Sequence, residues 1–182
     1  NPYDAKGLLM SAIQEDNLVV FSEDKTLLGQ KGNVPEEPYT IEIGKANVTR
    51  EGDDLTIVAI GKMVAVAEET AEKLAEDQVS VEVIDLRSVS PWDQETVLDS
   101  VKKTGRLIVI DESNPQCNIA GDVASVIGDV GFDYLDGPIK KVTAPDTPVP
   151  FAANLEAAYM PNADKILDIA SELIDDLKKA NA

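Results

Sequence analysis

Two adjacent carboxylates, Asp111 and Glu112, close the apolar run Leu107–Ile110. Acids at the end of a buried strand could exchange protons with a substrate. Neighbours in sequence need not face each other, so hydrogen bonding to loop amides is the competing reading. Cys117 precedes a helix, a position that can lower a thiol pKa. The chain contains no histidine, so Cys117 has no imidazole base to make it a nucleophile. Gly61-Lys62 lacks the upstream glycine and following hydroxyl of a phosphate loop, and no G-x-G-x-x-G occurs. Glu23-Asp24-Lys25 reads either as an active-site cluster or as a solvated strand end. Gly61, Arg87, Asp111, Glu112 and Thr143 all stand where strands should end, the edge at which open α/β sheets bind ligands.

Bulk properties narrow this chemistry. Without histidine, neither a Ser-His-Asp triad nor a histidine zinc site can form. One cysteine allows no intrachain disulfide, which fits a reducing cytoplasm. A net charge of −18 repels nucleic acid and anionic lipid, and would steer a basic protein partner inward. Simple solubility explains the same charge. No stretch is long and apolar enough for a membrane span, and the N-terminus does not read as a secretory signal.

The elements that would position these residues follow from periodicity. Tyr3–Glu15 has helical spacing through Leu8, Leu9, Ala12 and Ile13, and Leu18–Glu23 reads as a buried strand. This unit cannot bury both faces alone, so residues 1–24 are expected to be the end of another domain. Residues 25–52 read as a linker rich in glycine and proline, with a short strand at Tyr39–Ile43. From 53 to 182 strands and helices alternate. Strands are expected at Leu55–Ile60, Val79–Leu86, Arg106–Asp111 and Ile139–Thr143. Helices are expected at Lys62–Glu76, Asp93–Lys102, Ile119–Gly128 and Asn162–Leu177. The pattern predicts an α/β domain with a mostly parallel sheet between helical layers. Three prolines within Pro145–Pro150 stiffen that segment, which reads equally as an interface or a crossover loop.

Several of these stretches resemble one family. Tyr3-Asp4-Ala5-Lys6-Gly7-Leu8-Leu9, Val34-Pro35-Glu36-Glu37-Pro38-Tyr39-Thr40-Ile41, Val83-Ile84-Asp85-Leu86-Arg87 and Pro145-Asp146-Thr147-Pro148-Val149-Pro150 resemble, in order, the β subunits of thiamine-diphosphate-dependent pyruvate, branched-chain 2-oxo acid and acetoin dehydrogenases. Asn114-Pro115, Gly131–Asp136 and Val142–Pro145 most resemble the acetoin-cleaving members.

The resemblance implies a three-layer αβα sandwich of the transketolase C-terminal type, with one antiparallel strand, after the last helix and strand of a pyrimidine-binding domain. It implies that thiamine diphosphate and Mg²⁺ serve the whole enzyme, bound by the α subunit and by the β-subunit portion that this chain lacks. No catalytic or cofactor-binding residue carries over, and the piece alone is expected to be inactive. A K⁺ site would map to the backbone oxygens of Ala12 and Ile13 with Glu15 and Asn17; a plain helix C-terminus is the alternative. The implied partners are the α subunit, a second β subunit and the basic peripheral domain of the acyltransferase. Asp136 is the expected contact with the last, although a turn aspartate is also commonplace. A stand-alone binding module and a fragment of another transketolase-type enzyme are the other readings. The opening signatures argue against the latter.

Overall fold

Five strands form one sheet because their side chains alternate between two buried faces. The computed structural model describes residues 1–180, with side chains as far as Ile174. Helix α1 (Pro2–Gln14) comes first. It is followed by strands β1 (Asn47–Arg50) and β2 (Leu55–Ala59), helix α2 (Met63–Glu76), strand β3 (Val81–Asp85) and helix α3 (Gln94–Thr104). Strand β4 (Leu107–Ile110), helix α4 (Ile119–Val130), a 3₁₀ turn (Phe132–Tyr134), strand β5 (Lys140–Val142), and helices α5 (Ala153–Tyr159) and α6 (Ala163–Ala180) complete the order.

The sheet runs β1-β3-β2-β4-β5. β2, β3, β4 and β5 are mutually parallel, and β1 pairs antiparallel with β3, Asn47 opposite Asp85. Leu55, Ile57, Val83, Ile108 and Ile110 pack with Ala67, Ala71, Leu74, Ile166 and Ala170, so α2 and α6 cover one face. Val58, Ile84, Leu107 and Val109 pack with Val97, Val101, Val123 and Ile127, so α3 and α4 cover the other. This period-two division of consecutive strand residues produces the three layers. The sandwich, its parallel strands and its single antiparallel strand agree with the expected fold.

Three expectations about the first fifty residues need correction. Leu18–Glu23 has no regular secondary structure and pairs with no strand among the described residues, and Leu18 and Val20 are 95% and 87% exposed. Its apolar composition suits a strand, yet a strand needs a neighbour and none among the described residues reaches it. Tyr39–Ile43 is irregular because its hydrogen bonds go to a helix: the Ile41 N–H reaches the Gly7 carbonyl at 3.2 Å. Asn47–Arg50, inside the stretch read as a linker, is the antiparallel edge strand β1.

Helix α1 is docked rather than dangling. Gly7 is buried, and a Cβ there would lie 2.6 Å from Ile41 and 2.8 Å from the Tyr39 ring, so only glycine lets the strap approach. Tyr3 and Tyr39 stack with centroids 4.5 Å apart, and the Tyr39 hydroxyl donates to the Tyr3 carbonyl at 2.7 Å. The same strap is stitched to the sandwich. The Gly44 N–H donates to Ser88 Oγ at 2.9 Å and the Ala46 N–H to Asp93 Oδ2 at 3.1 Å.

Candidate functional site

The expected catalytic edge carries polar groups that satisfy one another. Asp111 is buried and turns inward, where Oδ1 accepts the Ser113 N–H at 2.9 Å. Glu112 turns outward and pairs with Lys62 at 2.8 Å. The two carboxylates therefore diverge, and the loop-amide reading of Asp111 holds. Beyond β4, Asp146 accepts from Asn114 Nδ2 at 3.3 Å and Gln116 Nε2 at 3.0 Å. The Tyr159 hydroxyl bonds to Asn114 Oδ1 at 3.0 Å and to the Thr147 carbonyl at 3.2 Å. These bonds hold the proline segment against the β4–α4 loop and leave its far end outward, where Phe151 is fully exposed. Cys117 is exposed with φ 51°, next to Asn118, whose side chain caps α4 by accepting the Gly121 N–H at 2.7 Å.

At the end of β3 the sequence builds a charge cluster. Arg87, at φ 58°, sends its guanidinium to Asp4 of α1 at 2.5 Å. Asp4 is buried within the first turn of α1, where it completes the Asn1 cap by donating its N–H at 2.9 Å. Asp85 accepts the Arg87 N–H at 3.0 Å. Burial first, and then the neighbouring Asp4 charge, push the Asp85 carboxyl up from its ordinary 3.8; the Arg87 amide and guanidinium pull the other way without overcoming them. Sequence reading placed Arg87 at a strand end but did not connect it to Asp4.

The expected cation ligands lie at the C-terminal end of α1. Ala12 and Ile13 occupy the last turn, where carbonyls have no partner further along the helix. Glu15 is the extended cap residue, and Glu15 and Asn17 are both exposed. Among the described residues no group of three or more His, Cys, Asp or Glu could hold a metal. A cation at this turn would therefore depend mainly on carbonyl oxygens, which suit K⁺ in donor type.

Asp136 is exposed beside the C-terminus of α3. Its N–H donates to the Gly105 carbonyl at 2.8 Å, and its carboxylate fills the space a Cβ on Gly105 would need. Val130, Phe132 and Tyr134 are exposed close by in sequence, with Asp129 and Asp133 among them. Lys102 lies over the Tyr134 ring at 5.7 Å. Leu9, Ile13, Leu18, Val20 and Leu28 are exposed as well. The residues accessible for function are thus those of surfaces. Among the described residues no helix is long and apolar enough to cross a membrane.

Residues 44–166 match the family model described as transketolase, C-terminal domain. Over 174 residues the chain is 53% identical to the acetoin:2,6-dichlorophenolindophenol oxidoreductase subunit beta of Bacillus subtilis, covering 96% of this chain and 51% of that protein. It is 46% identical over 175 residues to the pyruvate dehydrogenase E1 component subunit beta of the same organism, covering 96% and 54%. Among solved structures, a split-gene transketolase in an inactive β4 tetramer superposes with a TM-score of 0.65 at 28% identity, covering 75% of this chain and 43% of that one. The chain spans about half the length of the curated relatives it matches.

Proposed function

The chain belongs to the transketolase C-terminal domain family, and from that premise we propose that it is the C-terminal portion of the β subunit of a thiamine-diphosphate-dependent acetoin dehydrogenase. The observation that carries this reading is the 53% identity over 174 residues to an acetoin-oxidising β subunit, against 46% to a pyruvate-oxidising one. The whole enzyme would cleave acetoin and pass the two-carbon unit to a lipoyl group in the cytoplasm. Thiamine diphosphate supplies the nucleophilic carbon of that chemistry when bound. Among the described residues no group of three or more His, Cys, Asp or Glu gathers to hold a metal, and this reading assigns the Mg²⁺ to the α subunit. The chain's contribution is scaffold, subunit contact and partner docking.

Residues 1–24 are assigned in this reading to the pyrimidine-binding domain, whose remaining strands would cover Leu18 and Val20. The α subunit and a second β subunit are the expected neighbours. Asp136 and the exposed Phe132 and Tyr134 would receive the basic peripheral domain of the acyltransferase, in keeping with a net charge of −18. K⁺ would sit at Ala12, Ile13, Glu15 and Asn17.

The test is reconstitution: join the chain to the N-terminal half of such a β subunit, add an α subunit, and follow dye reduction with acetoin or pyruvate. Turnover with acetoin in preference supports the reading. Preference for pyruvate or a branched-chain 2-oxo acid moves it to the neighbouring enzyme, and failure to bind any α subunit ends it in favour of a stand-alone module.

A further inference from the structure

Lys6 extends from α1 into the bend at Glu36 and Glu37. Its ammonium donates to three consecutive carbonyls: that of Pro35, that of Glu36 at 3.1 Å and that of Glu37 at 3.0 Å. The Tyr39 ring centroid lies 5.1 Å from the same nitrogen. An ammonium has three N–H donors and no acceptor, so three carbonyls use all of its hydrogen bonds. The ring face attracts the same charge. Among the described residues no other donor reaches these carbonyls. Glu36 and Glu37 carry carboxylates on the same bend, yet neither forms a salt bridge with Lys6. The sequence explains why the carbonyls are free. Pro35 has a fixed φ and Pro38 keeps Glu37 extended, so the bend cannot close into a helical turn that would consume them.

We propose that Pro35–Glu37 and the Tyr39 ring form a binding site for a primary ammonium, filled in this chain by Lys6, and that its occupancy seats the strap on α1. The strap's other attachments fall on the same side of the helix. The Tyr39 hydroxyl donates to the Tyr3 carbonyl at 2.7 Å, the Ile41 N–H to the Gly7 carbonyl at 3.2 Å and to Ser11 Oγ at 3.1 Å. Tyr3, Gly7 and Ser11 are successive i, i+4 neighbours, and Lys6 lies one position before Gly7. The ammonium therefore anchors the start of a strap whose middle is already fastened. A cation supplied by the chain itself keeps this anchor independent of the ions in solution. Lys6 and all its partners belong to this chain, so the site is the same whichever subunit the chain completes.

Chemical rescue on the full chain tests this, with backbone amide exchange as the readout. Lys6→Ala should lower protection of the Ile41 amide and of α1 about tenfold, with the amides of β2 and β4 unchanged. n-Propylammonium chloride, which replaces the missing three carbons and nitrogen, should restore that protection in Lys6→Ala as its concentration rises at constant ionic strength. Tetramethylammonium chloride, which has no N–H to donate, should not. Lys6→Met should lose protection as Lys6→Ala does and resist rescue, because its own side chain fills the path to the carbonyls. Glu36→Gln and Glu37→Gln should keep the protection of the parent. The site is overturned if Lys6→Met protects as well as lysine, if the two ammonium salts act alike on Lys6→Ala, or if either glutamine variant loosens the strap as much as Lys6→Ala. Loss of protection in β2 and β4 together with α1 would also overturn it, by making Lys6 a support of the whole fold rather than of the strap.

Discussion

Single buried polar side chains carry more of this fold than their number suggests, because each is paired across elements. Thr56 lies fully buried in β2 with its hydroxyl 2.6 Å from Ser100 Oγ and 2.7 Å from Thr104 Oγ1 of α3. Thr56→Val keeps the shape but takes one partner from each of two buried hydroxyls, Thr104 keeping the Arg106 carbonyl at 3.2 Å and Ser100 keeping Glu82, and should cost about 1 kcal/mol in urea unfolding; an unchanged midpoint would show that the remaining partners suffice. Glu82, also buried, is held by Lys103. Burial alone would raise its carboxyl, but hydrogen bonds from Lys103 and Ser100 outweigh that and leave it below its ordinary 4.5. A depressed folded value means stability that is present above the ordinary value and lost as pH falls through the folded one. Acid unfolding should therefore be shallower in Glu82→Gln than in the parent, measured as the change in urea midpoint between neutral and acidic pH. Equal slopes would mean that Glu82 is not a source of acid sensitivity. Lys103→Met leaves Glu82 buried without its cation. Because Lys103 itself reaches solvent and its field is partly screened, the expected loss is about 1–2 kcal/mol rather than the larger penalty of a dry pair. None of these partnerships was legible in the sequence: Asp4 and Arg87, like Thr56 and Ser100, are separated by dozens of residues, and no local spacing signals their meeting.

Elements show where periodicity informs and where it does not. Val81–Asp85 and Leu107–Ile110 were readable because central parallel strands are apolar on both faces. β1 was hidden because Asn47-Val48-Thr49-Arg50 carries one aliphatic side chain, all that an edge strand covered on one face requires. α5 was hidden because Ala153–Tyr159 is short, has no side-chain cap and follows a proline run. Leu18–Glu23 misled in the opposite direction: its composition suits a strand, but among the described residues no strand pairs with it. Of the sites, Asp136 stood at a legible turn, but its packing on Gly105 depends on where α3 ends. Gly105 caps that helix at φ 68°, with its N–H on the Val101 carbonyl. Gly105→Ala introduces a Cβ into a left-handed residue and into the Asp136 carboxylate, so it should cost more than the usual ~1 kcal/mol for a compatible glycine exchange. Thermal melting checks this, and a neutral effect would show that the Asp136 loop moves freely. At the other end of α3, Asp93 accepts the Thr96 N–H at 3.2 Å and the Ala46 N–H. Asp93→Ala should remove about 1–2 kcal/mol as a lost cap and also free the strap, seen as faster proteolysis between residues 25 and 46. Loss of stability without faster cleavage would confine Asp93 to capping.

At the scale of the whole molecule, charge sets two opposing responses to salt. The local ion pairs, such as Lys62–Glu112 and Lys73–Asp164, both 2.8 Å and largely solvated, are worth little each and weaken as ions screen them. The net charge of −18 repels itself across the entire surface and destabilises the compact state. Raising ionic strength from about 10 mM to about 150 mM shortens the screening length from about 30 Å to about 8 Å. That is ample to quench repulsion between distant carboxylates, while contacts below 3 Å still lie well inside it. Relief of repulsion should win, and the melting temperature should rise with sodium chloride. A fall would mean that the paired lysines outweigh the surplus acids. The same field bears on docking, with the opposite sign. A basic partner domain should bind more weakly as salt is added, and Asp136→Asn should lower its affinity by a few-fold at low salt with little effect at high salt, because a rim charge acts chiefly through long-range steering. Titration of the basic domain at both salt concentrations distinguishes the two behaviours. Affinity that ignores salt would transfer the contact from the acidic residues to Phe132 and Tyr134, whose exposed rings would then provide binding without any help from the field.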